Sequence, residues 1–336
     1  DNHVYPYESQ ISTALKTLLQ EAPMVGFVTG HKERSGMDMG EKGYGTFASN
    51  KTFRYSLENS GYGVREISLE HPVAEDINII VISDMREWFT PKQEANLQQY
   101  IDRGGNLFIL GEPKRRDVMN NLFAKFGYEM TTGVLVKRDT NLQADVILSY
   151  PTKEADSIAY DFGTMRNRRM VITTPSTAGL EQIADKGYTV TNMFTTDTIG
   201  VWNELETTDF IDDTVCLNPA IGEVEKIYNT VVALSRKVGN KEQKIILTGD
   251  ADCISNGEFG RRVPTARASN FSLITGGFFW MSDNEVPIDV RRPALPDNKV
   301  YVEKTGSKVI KWSFMIVLPL LLAGIGIFLW IRRKGR

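Results

Sequence analysis

Apolar positions along this chain alternate between two periods. Ile11, Ala14, Leu15, Leu18 and Leu19 recur at helical spacing, whereas Met24–Thr29 is a short apolar run closed by Gly30-His31 and reads as a buried strand. A helix is expected over Phe47–Asn59, and strands over Val64–Leu69 and Ile77–Ile82. Thr90-Pro91-Lys92-Gln93 supplies an N-cap, a proline at the first helical position and a glutamine able to bond back to the cap. That helix runs to Arg103, where Gly104-Gly105 can take the backbone angles that end it, and Asn106–Leu110 follows as a strand. Such alternation predicts an α/β fold with a parallel sheet and helices on both faces.

The middle of the chain reads differently. Residues 134–209 hold short candidate strands at Asp145–Leu148, Met170–Thr173 and Tyr188–Met193 without a long helical pattern, so they are expected to form a β-rich insertion. The α/β pattern resumes with a helix over Glu223–Lys237, a strand over Lys244–Thr248 and a helix over Asn270–Met281. Residues 1–133 and 210–285 would then share one sheet domain. Residues 286–311 read as an extended stalk restricted by Pro287, Pro293 and Pro296.

The last apolar stretch is of another kind. Trp312–Ile331 runs 20 residues without a charge, enough at ~1.5 Å per residue to cross a bilayer as one transmembrane helix, with Trp312 and Trp330 at its two interfaces. Residues 332–336 hold Arg332, Arg333, Lys334 and Arg336, a basic tail expected on the cytoplasmic side; Lys304, Lys308 and Lys311 flank the opposite end and weaken the contrast. In a bacterium this places the helix in the inner membrane and the main domain in the periplasm. No apolar signal region precedes Tyr5, so export information is expected upstream of Asp1.

Composition narrows the chemistry. Residues 1–303 carry 32 basic and 42 acidic side chains, a balance that disfavours nucleic acid as a partner. Cys216 and Cys253 could pair in an oxidising compartment, but the favoured reading is that both are small buried apolar residues, and neither sits in a metal-finger spacing. No phosphate-binding G-x-x-x-x-G-K-[ST] occurs, so the chain is not expected to hydrolyse ATP; the run Gly36–Gly45 reads as a loop over the strand edge. Asp250-Ala251-Asp252 opens like a calcium loop, but Ile254 takes the third ligand position. With three histidines in the chain, a multi-histidine metal site is not expected, nor is any cofactor.

Ligands of open parallel sheets bind beyond the carboxyl ends of the strands. Those ends carry Gly30, His31 and Glu33, then Ser83 and Asp84, then Glu112, then Asp250 and Asp252, a polar set able to bind a sugar, an amide or a cation. Against this, Gly30, Gly111 and Gly249 could serve tight turns alone, with the aspartates capping helices or facing solvent.

Thr29–Glu33, "TPKQEANLQQYIDRGGNLFILGEP" (90–113), "KIILTGDADCISN" (244–256) and the closing "LPLLLAGIGIFLWIRRKGR" together resemble the GldG-type family, auxiliary components of ABC transporters named for bacterial gliding motility. The resemblance implies a flavodoxin-like sheet of the class I glutamine amidotransferase kind, acting beside an ABC permease, on the same polypeptide upstream or separate, and a separate ATPase. Amidotransfer needs a cysteine on the turn after a central strand, and Leu110-Gly111-Glu112-Pro113 offers none, so a non-catalytic relative is expected. The alternative is a surface hydrolase using Glu33, Glu112, Asp250 or Asp252 on a sugar or amide; a tail-anchored cytosolic protein is a third.

Overall fold

The structure, a computed structural model, describes residues 5, 6, 8–207, 209–211, 214–287 and 304–335. Two compact units divide the chain, Asp1–Asp289 and Val290–Arg336. In the first, α1 (Glu8–Thr17) leads into β1 (Met24–Val28), the helical turn α2 (Gly45–Ala48), β2 (Gly63–Ile67), β3 (Ile77–Ser83), α3 (Pro91–Asp102), β4 (Asn106–Leu110) and α4 (Arg116–Ala124). Shorter elements follow: β5 (Tyr128–Met130), β6 (Val134–Lys137), β7 (Val146–Pro151), α5 (Tyr160–Asn167), β8 (Met170–Pro175), β9 (Leu180–Gln182), β10 (Thr189–Thr195) and β11 (Val201–Glu204). β12 (Asn229–Val238), β13 (Lys241–Thr248), β14 (Arg267–Ala268) and α6 (Asn270–Met281) complete the unit.

Among the described residues these strands make one 12-stranded mixed sheet and a separate β6–β11 ribbon. The run β2-β1-β3-β4-β13 is parallel throughout. From β13 onward, β12, β10, β7 and β8 pair antiparallel, so residues 134–209 feed the same sheet through β7, β8 and β10. Strand side chains alternate between faces, and each face has its own core. Val25, Phe27, Ile79, Val81, Phe108 and Ile246 pack with Leu273 and Phe278 of α6. Ile80, Ile82, Leu107, Ile109 and Leu247 pack with Leu97 and Tyr100 of α3 and with Leu122 and Phe123 of α4. The capping box at Thr90 forms as expected, with Gln93 accepting from the Thr90 N–H at 2.8 Å.

Three elements differ from the sequence expectation. Phe47–Asn59 is not a helix: α2 stops at Ala48 and turns follow, because Asn50 and Asn59 satisfy the local backbone with their own amides, Asn50 accepting from the Thr52 N–H and Asn59 donating to Lys51 and Phe53 carbonyls. The helix expected over Glu223–Lys237 is strand β12 from Asn229 onward, paired with β13 over eight positions and with β10 on its other side. Its Thr230-Val231-Val232 run is β-branched and fully buried, which suits a central strand better than a helix. Residues 288–303 of the expected stalk lie outside the described residues, and Lys304–Lys311 is helical rather than extended.

In the second unit α7 (Lys304–Trp312), a π-helical turn at Ser313–Val317 and α8 (Leu318–Lys334) run continuously. Thr305–Lys334 is long and apolar enough to cross a membrane, and none of it is buried inside the protein. The wider turn lies just before Pro319, whose ring would crowd the carbonyl four residues earlier in a regular helix. Arg336 lies outside the described residues.

Candidate functional site

Strand order reverses between β1 and β3, so the crevice of this sheet opens over their carboxyl ends. Gly30 leaves β1 at φ 127°, an angle only glycine adopts without strain, and the chain turns back over β3, where the Arg34 N–H donates to the Ser83 carbonyl at 3.3 Å. This fold-back drives the Arg34 side chain into the crevice, where 4% of it remains exposed.

Three of the carboxylates expected at the edge converge on that guanidinium. Arg34 Nε donates to Asp84 Oδ2 at 3.3 Å, Nη1 donates to Asp252 Oδ1, and Nη2 lies 3.5 Å from Glu112 Oε2. The last contact is Coulombic only, since Nη2 has no hydrogen-bond partner. Asp250 sits behind them, its Oδ1 accepting from the Asp252 N–H at 2.6 Å while its buried Oδ2 has no partner. Gly249 is required by packing, because a Cβ there would stand 2.0 Å from the Ala178 carbonyl oxygen. Ser83 donates to the Tyr44 hydroxyl at 2.5 Å, and Tyr44 donates to the Ala251 carbonyl at 2.7 Å, tying the loop after β1 across the edge.

His31 and Glu33 form a second group. His31 Nδ1 pairs with Glu33 Oε1 at 3.1 Å, its Nε2 meets Gln93 Oε1 of α3 at 3.1 Å, and its ring stands edge-on to Phe89. The edge therefore splits into an Arg34 cluster and a His31 cluster. Sequence reasoning missed Arg34, Tyr44 and Gln93. The available signal was the position of Arg34 four residues past Gly30, inside a charged run that reads equally well as solvated surface.

Burial pushes the Glu112 carboxyl up, with Asp84 adding to the effect. Burial, and then Asp252, push Asp250 well above the usual carboxylate range. For Arg34, burial works against the charge, but Tyr44, Asp252 and Asp84 outweigh it and the guanidinium is held protonated. One buried cation thus faces two carboxylates in direct ion pairs and two carboxyls pushed toward their neutral form. An acid whose pKa is raised by folding binds its proton more tightly in the native state, so stability declines as pH rises from the ordinary Asp range, about 3.9, through the raised value. Asp250→Asn is therefore expected to gain stability relative to the unmodified chain as pH goes from 5 to 8. Thermal melts at both values test this, and a gap that does not change with pH refutes it.

Cys253 is unpaired and wholly buried, its thiol donating to the Asp250 carbonyl, and burial pushes its pKa up, which does not suit a nucleophile. Cys216 is also unpaired but exposed, not buried as the sequence suggested. Among the described residues Glu204, Glu206 and Glu223 bring carboxylates within 4.8 Å of one another. Glu204 and Glu223 already accept N–H bonds from Glu206, Thr207, Leu205 and Asn218, so they serve as turn caps.

Fold and edge define an α/β domain whose strand-edge crevice is filled by its own arginine, on a chain that carries, among the described residues, one helix long and apolar enough to cross a membrane. Residues 22–186, just under half of the chain, match a protein family described as an ABC-type uncharacterized transport system. The match contains Arg34, Asp84 and Glu112 and stops before Asp250. No curated protein is similar in sequence to this chain. Among solved structures, the mmIFT52 N-terminal domain aligns at a TM-score of 0.52 with 13% identity, over 80% of this chain and 100% of that one, a likeness of fold alone. The exo-beta-1,4-mannosidase Op5Man5 from Opitutaceae bacterium strain TAV5 aligns at 0.34 with 12% identity, over 82% of this chain and 37% of that one.

Proposed function

We propose that this chain is a membrane-anchored, non-catalytic auxiliary subunit of a gliding-motility-type ABC transport system, related to the GldG group. The family match over residues 22–186 carries the reading, and the apolar helix Thr305–Lys334 supports anchoring. The domain stands on the extracytoplasmic face of a bacterial inner membrane, with Arg332, Arg333 and Lys334 inside. The parallel order β2-β1-β3-β4-β13 supports the flavodoxin-like, amidotransferase-like description, with residues 134–209 as its β-rich insertion. The strand-edge carboxylates Asp84, Glu112 and Asp252 serve Arg34 and hold the loop after β1 in place. A salt bridge of this burial is a structural commitment, since stripping Arg34 away for an incoming ligand would leave several charges unpaired.

Affinity purification of the tagged chain from detergent-solubilised native membranes is expected to recover an ABC permease and a separate ATPase. Recovery of the chain alone under conditions that keep other ABC complexes intact would refute the role. Protease digestion of intact spheroplasts tests the orientation: cleavage within residues 1–287 is expected, and full protection would put the domain inside.

A further inference from the structure

Helix α1 meets the rest of the domain through polar residues. Thr13 is buried, Ser9 and Ser12 are half-buried, and Lys16 donates through Nζ to the Glu285 carbonyl at 2.9 Å. Thr13 lies against Gly61, where an added Cβ would stand 2.4 Å from its methyl group. Ile11, Leu15, Leu18 and Leu19 fall on the other side and are 49%, 59%, 81% and 86% exposed. Leu18 and Leu19 belong to the turn that continues α1, where the Leu19 and Gln20 N–H groups both donate to the Lys16 carbonyl at 2.9 Å. A helix on the surface of a domain in water turns its apolar stripe to the core, and this one turns it away. Single exposed leucines need no explanation, but a stripe of them does.

Position and size decide what covers the stripe. Lys16 also pairs with the Glu285 carboxylate at 3.7 Å, and a Cβ on Gly61 would lie 3.3 Å from Val286 Cγ1. The stripe therefore stands beside the amino ends of β1 and β2, away from the crevice, where the chain leaves the domain. Even fully extended at ~3.6 Å per residue, residues 287–304 carry that exit no further than roughly 65 Å from Thr305, the start of the apolar helix. A tether of this reach holds the stripe near a bilayer at an effective concentration on the order of millimolar. Four aliphatic side chains fall short of the ~800 Å² per partner that a stable dimer buries, whereas an interfacial helix needs only such a stripe. The charges of residues 8–21 are Glu8, Lys16 and Glu21, and Arg54 approaches from the loop after α2 to donate to the Tyr5 carbonyl. With Lys16 committed to Glu285, this segment has little to draw anionic headgroups.

We propose that α1 lies on the membrane surface, with Leu15, Leu18 and Leu19 in the acyl boundary of the adjacent leaflet and Glu8 kept in water. Apolar burial makes the contact, so it does not select anionic lipid. It is lost with the anchor, because three leucines hold a soluble domain only weakly. The inference rests on the membrane-anchored reading and not on the transport role.

The full chain carrying Cys216→Ser and a spin label on Leu18→Cys, placed in phosphatidylcholine nanodiscs, tests this through its collision rates with oxygen and with a water-soluble nickel chelate. Cys253 is wholly buried and takes no label. The oxygen-to-nickel ratio at Leu18→Cys is expected to be several-fold higher than at Lys114→Cys, exposed beyond the carboxyl end of β4 at the opposite end of the sheet, and unchanged when phosphatidylglycerol is added. Equal ratios at the two positions, a ratio that rises only with phosphatidylglycerol, or protection of Leu18→Cys from both reagents, as a protein contact would give, would each overturn the assignment. A chain that does not enter the discs would overturn the anchoring itself, and the inference with it.

Discussion

Arg34→Met is expected to remove about 3–5 kcal/mol of stability, the cost of breaking a buried ion-pair cluster from one side. Methionine matches much of the volume but leaves Asp84 and Asp252 without their counter-ion in a crevice already crowded by Glu112 and Asp250. Urea unfolding of the full chain in micelles would read the loss as a lower midpoint. Arg34→Lys is expected to fall between, because one ammonium keeps the charge but cannot fork to three carboxylates as the guanidinium does. A methionine variant with the parent midpoint would mean that the cluster contributes nothing. The converse design informs as well: Arg34→Met combined with Asp84→Asn and Asp252→Asn should recover part of the loss, since no unpaired charge then remains at those positions.

A chain ended after Pro287 is expected to leave the membrane fraction and stay folded. Residues 1–289 are a compact unit by themselves, and among the described residues both sheet-face cores are built from residues between 24 and 286. The full chain should need detergent for extraction and resist alkaline carbonate. Leu321→Arg, near the middle of Thr305–Lys334, should weaken insertion by about 2.5–3.5 kcal/mol. Release of the full chain by carbonate, or a truncated chain that still sediments while giving the parent circular dichroism, would show that Thr305–Lys334 is not the anchor. A truncated chain that sediments as unfolded aggregate would instead refute the independence of the domain.

How much of this was legible beforehand follows from which interactions are local. The Thr90–Gln93 capping box, the stop at Gly104 and the apolar runs of β1, β3, β4 and β13 are settled by residues within a few positions of one another, and all form where expected. The helix expected over Glu223–Lys237 failed because its apolar run, Val231–Leu234, is too short to tell one period from the other. Its strand state is decided by β10 and β13, which flank it on both sides. Helix α5 was missed because Tyr160–Asn167 is short and weakly patterned, and it is held by packing against α6 through Phe162 and Met165.

The candidate site divides along the same line. Rules for strand ends in open sheets brought Asp84, Glu112, Asp250 and Asp252 to one edge from sequence alone. That edge exists because parallel strands deliver their following loops to the same side. Which partner those carboxylates would meet depended on a turn at Gly30 that directs Arg34 inward and His31 toward Gln93. Sequence by itself determined the α/β alternation, the acidic balance of residues 1–303 and the long apolar C-terminal helix, because each is a property of composition or of short-range period. Only the tertiary structure decided that the crevice is filled by Arg34, since its burial, its two direct ion pairs and its contact with Glu112, contributed by the loops after β1, β3, β4 and β13, have no signature within any one of them.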